Sequence, residues 1–400
     1  MTGTWLLLAT TVVLLLAGIT EGVLHRRNLR RIPIRIHVNG TRGKSSIVRL
    51  LAAGLRASGR ATCAKTTGTL ARMILPDGRE LPIYRPSGPN VIEQKRIVAT
   101  AAAHGAEILV VECMALQPEL QALSERQLIR ATHAVITNAR PDHLEIMGPA
   151  EVDVAAALAG TIPPGGIVYT TERQHLGVLR AASDDRRARL VPLAEQECEA
   201  ITEDDMAGFS YTEHRENVAL ALRVCQELGV EREVALRGMH AGAPDPGALM
   251  HHALDFFGRR IDFYNAFAAN DPVSTRQLWE LALKHAGHLA RKVAVFNCRL
   301  DRPDRSRQLG ADFVEWPPAD FVVLMGTGTH VFARAATHAG YDSTRLIATE
   351  GLRVDELFER IIGLVDSSAL VVGMGNTGGL GLDLARYFAN RAHPRGRHHE

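Results

Sequence analysis

The stretch Ile36-His-Val-Asn-Gly-Thr-Arg-Gly-Lys-Ser-Ser46 limits what this chain can fold into more than any other. Ile32 to Val38 alternate and branch like a buried strand, and Ile47, Leu50, Leu51 and Leu55 recur behind the stretch at helical spacing. A glycine-bearing turn therefore joins a strand to a helix, a geometry that binds phosphate. Gly40 and Gly43 let backbone N–H groups curl around an anion, Thr41 and Arg42 complete the turn, and the helix start at Lys44, Ser45 and Ser46 adds its positive dipole end. Lys44 can reach the outer phosphates, and the Ser45 hydroxyl can ligate a magnesium ion. The usual motif asks for a glycine where this chain has Val38, so the match is to the shorter form Gly-Thr-x-Gly-Lys-Ser. The alternative is a strand–turn–helix corner with an incidental surface lysine. The strand before and the apolar helix after favour the phosphate loop.

With 400 residues, 46% hydrophobic and 22% charged, the chain has material for two or three cores. A net charge of +2 and 5% aromatic residues argue against a general nucleic-acid binder. Cys63, Cys113, Cys198, Cys225 and Cys298 form no C-x-x-C pair and read as reduced thiols, so metal binding by cysteine is not expected. Trp5 to Ile19 is apolar apart from its threonines, and that character runs weakly on to Leu24, close to the shortest length that spans a bilayer. Arg26, Arg27, Arg30, Arg31 and Arg35 follow directly, which by the positive-inside rule leaves the remainder in the cytoplasm. A cleaved signal or a buried helix would be the alternatives. The expectation is an uncleaved anchor over residues 1–24 in a single-pass protein of the cell membrane.

From Arg35 onward strands alternate with helices, which predicts a largely parallel α/β sheet. Glu107-Ile-Leu-Val-Val-Glu-Cys113 reads as a buried strand ending in a carboxylate, and Glu112 stands where a Walker-B type magnesium partner belongs. Ala134 to Leu144 reads as another strand that delivers Asn138, Asp142 and His143 to the same sheet edge, making His143 a candidate second metal ligand. Arg60 to Thr69 is expected to run from a strand into a hydroxyl-rich turn with Thr66 and Thr67, Leu75-Pro-Asp-Gly-Arg79 to form a hairpin, and Val91 to His104 a helix. Asn217 heads an Ala/Leu-rich helix that ends at Gly229. Pro and Gly in Ala241 to Gly247 mark a hinge, dividing residues 25–245 from a second α/β domain over 246–400. In that second domain, strands are expected at Ile261–Phe267, Val293–Cys298, Phe321–Met325, Arg345–Ala348 and Ala369–Gly373. Arg299, Asp301 and Arg302 follow a strand and are candidates for contacts to a nucleotide or acyl phosphate. Gly373-Met-Gly-Asn-Thr-Gly378 fits G-x-G-x-x-G, but too little chain follows to complete a dinucleotide unit.

Gly40-Thr-Arg-Gly-Lys-Ser45, Val111-Glu112, Asn138 with Asp142-His143-Leu144, Asn217 and Pro246-Gly247 resemble the Mur ligase superfamily in order and spacing, from about Arg35 to Gly378. Within it, the N-terminal anchor, Lys65-Thr-Thr-Gly-Thr69, Ala268-Ala-Asn-Asp271 and Asn297-Cys-Arg-Leu-Asp-Arg302 are most similar to the ligase subunits of poly-γ-glutamate synthases. The resemblance implies a P-loop, Mur-ligase-like central domain and a smaller Rossmann-like C-terminal domain behind a transmembrane helix. It implies ATP on the loop, with Mg2+ (Mn2+ as the alternative) held by Ser45 and Glu112 and a second ion served by His143. Lys44 would neutralise charge while a carboxylate is phosphorylated and the amine of glutamate attacks the acyl phosphate. Asn217 matches an adenine-contacting position, and Asn270 and Asp271 fall where the family places a motif facing the reaction centre. Ala155-Ala-Ala157 stands where many Mur ligases carry a carbamylated lysine, so a second metal site would be completed differently.

On charge and loop position alone, Arg85 is a candidate for binding a substrate carboxylate. The expected partners are glutamate and the growing polyglutamate chain, the membrane, other membrane subunits of a synthase and export complex, and further copies in a homo-oligomer; nucleic acid is not expected. Two other readings stay open: a different Mur-type amino-acid ligase, and a P-loop ATPase energising export of a surface polymer.

Overall fold

The computed structural model describes residues 2–68, 71–85, 88–245, 249–269 and 271–392. The expected hinge residues Pro246 and Gly247, Thr69, and the candidate Asn270 lie outside them, as do Pro86 and Ser87 of the loop behind Arg85. The chain divides into two compact units, Met1–Asp245 and Pro246–Glu400.

The first unit begins with a helix, α1 (Thr2–Arg31), whose early apolar residues such as Trp5, Leu7 and Leu14 are more than 60% exposed. Among the described residues it is the one helix long and apolar enough to cross a membrane, judged by length and composition. Its last turns behave differently. Leu29, with Ile32 just beyond, is buried against Ile97, Val98 and Leu109, and a ring nitrogen of His25 lies 2.9 Å from the Leu128 carbonyl. The helix is therefore continuous from its exposed apolar part into the core.

Eight strands among the described residues form the first sheet: β1 (Ile34–Asn39), β2 (Thr62–Thr66), β3 (Arg72–Ile74), β4 (Glu80–Pro82), β5 (Ile108–Glu112), β6 (His133–Ile136), β7 (Ile167–Thr170) and β8 (Arg189–Pro192), in the order β4-β3-β2-β5-β1-β6-β7-β8. β1 is central and parallel to β5 and β6, with Val38 opposite Glu112 and Asn39 opposite Ile136. Because β1 leads through a helix to β2 past β5, while β6 lies on its other side, the chain reverses direction beside β1, where open α/β sheets place their ligands. That helix is α2 (Lys44–Ala57). Its Ile47, Leu50, Leu51 and Leu55 share a core with Val218 and Leu222 of helix Arg215–Glu227 and with Leu236 and Met239 of helix Arg232–Ala241. Each such side chain contributes roughly 2 kcal/mol on burial, enough to fix the start of α2 against the strand ends. The expected Leu75–Arg79 hairpin joins β3 to β4, with Gly78 at φ 85° and the Leu75 amide donating to the Arg79 carbonyl.

The second unit carries β9 (Met250–Phe256), β10 (Arg259–Asn265), β11 (Arg291–Cys298), β12 (Phe321–Gly326), β13 (Leu346–Ala348) and β14 (Ser368–Met374), in the order β13-β12-β11-β14-β10-β9. All neighbours are parallel except β9 with β10. The α/β class expected from the sequence is what the chain adopts, but antiparallel β3, β4 and β9 make both sheets mixed. β9 was not expected. Its turn places Phe257 at φ 48° and Gly258 at φ 77°, a left-handed pair that only one glycine announces. Also unannounced is the π-helical turn Ser124–Ile129, which brings the buried Glu125 to His37 of β1.

Candidate functional site

The phosphate loop leaves the carboxyl end of β1 and is clamped from β6. The Thr41 amide donates to the Asn138 carbonyl (3.0 Å), Thr41 Oγ1 and the Arg42 amide both donate to Asn138 Oδ1 (2.6 and 3.1 Å), and Thr137 Oγ1 donates to the Arg42 carbonyl (2.6 Å). Arg42 also lies 3.9 Å from Asp142. Gly40 sits at φ 134°, and a Cβ there would stand 1.9 Å from Thr137 Oγ1 and 3.0 Å from the Thr137 amide nitrogen. Gly40→Ala is therefore expected to distort the loop at a cost of about 1–3 kcal/mol in backbone strain, besides the clash, and to abolish retention of a fluorescent ATP analogue; retention equal to wild type would contradict this account of the loop.

Gly43, at φ 79°, ends the loop, so the first N–H groups of α2, which have no intrahelical acceptors, open toward it. Lys44 Nζ folds back to donate to the Gly40 carbonyl (2.5 Å). Ser45 Oγ donates to Glu112 Oε2 at the end of β5 (2.9 Å), and the Thr67 amide donates to the same oxygen (2.6 Å). A Cβ on Gly68 would stand 2.7 Å from Ser45 Oγ, so the turn after β2 closes over this pair. The hydroxyl of Thr66 is buried without a hydrogen-bond partner. Asn217 approaches from the far side: its Oδ1 is 2.9 Å from where a Cβ on Gly43 would be, while its Nδ2 donates to Glu213 Oε1 (2.9 Å). Burial pushes the Glu213 carboxyl above its ordinary range, against the hydrogen bonds it accepts from Asn217 and the His214 amide.

The other candidates have partners of their own. His143, at φ 46°, has Nδ1 3.1 Å from Glu145. Arg85 donates twice to Glu93 (2.7 and 2.6 Å), whose carboxylate also meets the buried Lys65 Nζ at 2.8 Å. Burial opposes ionisation of Glu93, yet these cations hold it below the usual carboxylate range. A substrate carboxylate would compete with Glu93 for Arg85. In the second unit, Asp271 caps the helix Pro272–Ala286 by accepting from the Ser274 amide (2.9 Å), Arg299 is doubly bonded to Asp301 (2.9 and 2.7 Å), and Arg302 precedes the helix Pro303–Asp312. The glycine run after β14 is tied to β11: Asn297 Nδ2 donates to the carbonyls of Asn376 and Gly378, and Asn376 Nδ2 donates back to the Asn297 carbonyl.

Thr137 and Glu213 carried no expectation as supports of the loop. The four-residue spacing of Glu213 and Asn217 was a signal for the second; for Thr137 nothing short of the strand pairing locates it.

Among the described residues, no three His, Cys, Asp or Glu side chains cluster as a metal cage. The donor set is instead one hydroxyl and one carboxylate, hard oxygens at a phosphate loop. This suits a small divalent cation that takes most of its other ligands from water and substrate phosphates.

The same fold occurs in the bifunctional folylpolyglutamate synthase/dihydrofolate synthase of Yersinia pestis solved with AMPPNP and a manganese ion, at a TM-score of 0.65 and 15% identity over 92% of each chain. The Mur ligase middle domain matches residues 38–241. Fold and loop together define an ATP-dependent amide ligase of the Mur type. The C-terminal domain of poly-γ-glutamate synthase CapB matches residues 251–391. The capsule biosynthesis protein CapB of Bacillus anthracis is 35% identical over 371 residues, 92% of this chain and 79% of that protein. The PGA synthase CapB of Bacillus subtilis is 34% identical over 377 residues, 94% of this chain and 95% of that one. The chain belongs to the CapB poly-γ-glutamate synthase family.

Proposed function

We propose that this chain extends poly-γ-glutamate, joining the amine of an incoming glutamate to a side-chain carboxylate and consuming one ATP per amide bond. What carries the reading is the union, in one chain, of a Mur-type phosphate loop with a CapB-type C-terminal domain. The first amides of α2 and the Lys44 ammonium bind the outer phosphates, and Asn217, braced by Glu213, meets the nucleotide beside Gly43. Ser45 and Glu112 hold a divalent cation, Mg2+ or Mn2+, which when bound neutralises charge on the phosphates. The γ-phosphoryl group passes to the acceptor carboxylate, ADP leaves, and attack by the amine on the acyl carbon expels inorganic phosphate as the amide forms. Preorganised cations stabilise the developing charge at both steps. His143 serves a second ion through the ring nitrogen opposite the one Glu145 engages, an arrangement in which the carboxylate orients the ligand. In the second unit, Arg299 and Arg302, with Asp301 orienting Arg299, and Asn270 and Asp271 are the polar groups proposed to take part in the reaction; Thr66, Thr67 and Arg85 are those proposed for the acceptor. The apolar part of α1 anchors the chain once in the cell membrane with the catalytic units in the cytoplasm; one helix encloses no path for a polyanion, so export falls to separate membrane proteins.

The test is product analysis on the membrane-bound chain with labelled ATP and glutamate. Expected is amide-linked glutamate with one phosphate released per bond, and no product from Lys44→Ala. Turnover of ATP that neither needs glutamate nor yields an amide would replace this reading with a polymer-export ATPase.

A further inference from the structure

At the foot of α1 a cavity of about 560 Å³ is lined by Arg26 and Arg30 of that helix, Arg35 at the start of β1, Arg126 of the π-helical turn and Arg130, which caps that turn. It lies at the sheet edge opposite the phosphate loop: the loop leaves the carboxyl end of β1, whereas the cavity is bounded by residues where β1, β6 and β7 begin. Five guanidiniums share it with one carboxylate. That carboxylate, Glu125, is buried and already engaged by His37 Nδ1 (2.8 Å) and the Ala131 amide (2.7 Å). Arg35 is also committed, donating to the carbonyls of Leu29, Ile32, Ile129 and Arg130, and so builds the floor. Arg26, Arg30, Arg126 and Arg130 are exposed, and among the described residues no acid pairs with them. Like charges held this close repel unless an anion joins them. Arg130 adds a second sign: it sits at φ 49°, a conformation that glycine or asparagine adopts at lower cost.

The anion is indicated by depth. Leu24 closes the apolar stretch, and Arg26 and Arg30, one turn apart on one helix face, lie about 3 and 9 Å further along the axis. A headgroup layer is roughly 5–8 Å thick on each side of the bilayer. The helix runs unbroken to Arg31 and is pinned by His25 and Leu29, so this depth is fixed rather than set by a linker. The geometry points to a binding site for the phosphate headgroup of an acidic phospholipid, formed jointly by the anchor helix and the Arg126–Arg130 turn. This rests on the anchor reading of α1 and goes beyond it, since a topology signal needs arginines beside the span but none on a distant turn of the soluble unit. The position across the sheet from the phosphate loop favours lipid over the polyanionic product as the occupant.

The test uses the full chain in nanodiscs of phosphatidylcholine with or without phosphatidylglycerol, reading retention of phosphatidylglycerol by native mass spectrometry. Each arginine at an anionic surface is worth roughly fivefold in affinity, so Arg126→Gln with Arg130→Asn is expected to lower phosphatidylglycerol occupancy roughly tenfold or more. Arg360→Gln with Arg386→Gln, the same charge change in the second unit, should leave occupancy unchanged. Equal losses in the two double variants would overturn the site, as would displacement of the lipid by inorganic phosphate or by poly-γ-glutamate. Failure of the anchor reading has a separate signature: the wild-type chain would be released from membranes by an alkaline wash, whatever the lipid.

Discussion

Glu112→Gln is expected to lower glutamate ligation roughly a hundred- to a thousandfold while the fold stands. The substitution keeps the shape of the side chain at the end of β5, and its remaining carbonyl oxygen can still accept from either Ser45 Oγ or the Thr67 amide. What goes is the negative charge. With one hydroxyl and one carboxylate as the proposed protein ligands, Glu112 carries all of the site's negative charge. The loss should therefore appear in turnover and as a raised requirement for the divalent cation, with little change in the thermal midpoint. Ligation within a few-fold of wild type, at unchanged cation dependence, would remove Glu112 from the metal site.

Glu125→Leu is expected to destabilise the first unit by about 3–5 kcal/mol, because it strands the His37 cation in the core. His37 is fully buried, its Nδ1 is 2.8 Å from Glu125, and Glu125 is 1% exposed. Burial opposes charge on the imidazole, but Cys113 and Glu125 beside it outweigh that and raise the His37 pKa to about 9. Replacing both partners, His37→Leu with Glu125→Leu, is expected to recover most of the loss, since a well-packed apolar pair is often as stable as a buried ion pair. The sign with pH follows from the raised value. The pair's contribution is complete below the unfolded histidine pKa near 6.5 and is lost as pH rises through about 9, a change on the order of 3 kcal/mol. Urea midpoints measured between neutral and alkaline pH should fall for wild type and stay level for the double variant. A wild-type midpoint that is flat across this range would show that His37 is buried neutral.

The legible parts of the site are those whose chemistry is local in the chain. Strand, glycine turn, lysine, serine and helix are consecutive residues, and an acid ending an apolar run marks Glu112 without reference to anything else. The supports are less legible because their partners are remote. Thr137 clamps Arg42 only because β6 pairs with β1, and Lys65 is buried only because the Glu93 carboxylate, which Arg85 also engages, arrives to balance it. A π-helical turn has no pattern that separates it from an α-helix, so Glu125 reads as a surface acid until β1 is seen to present His37 to it. Two candidates named from charge and position have acidic partners that the sequence did not announce. Arg85 pairs with Glu93, and His143 with Glu145.

By itself, then, the order of residues determined the phosphate loop, its strand and helix, the acid beside it, the α/β class and the apolar helix ahead of them, because each depends on neighbours within a few residues. Tertiary structure decided what holds that loop and what lies behind it. The Ser45–Glu112 pair, the brace of Glu213 on Asn217, the buried His37–Glu125 pair and the arginine cavity at the foot of α1 all join residues from separate elements. Their energies come from desolvated charges and hydrogen bonds at distances of about 3 Å, which exist only once strand order has brought those elements together.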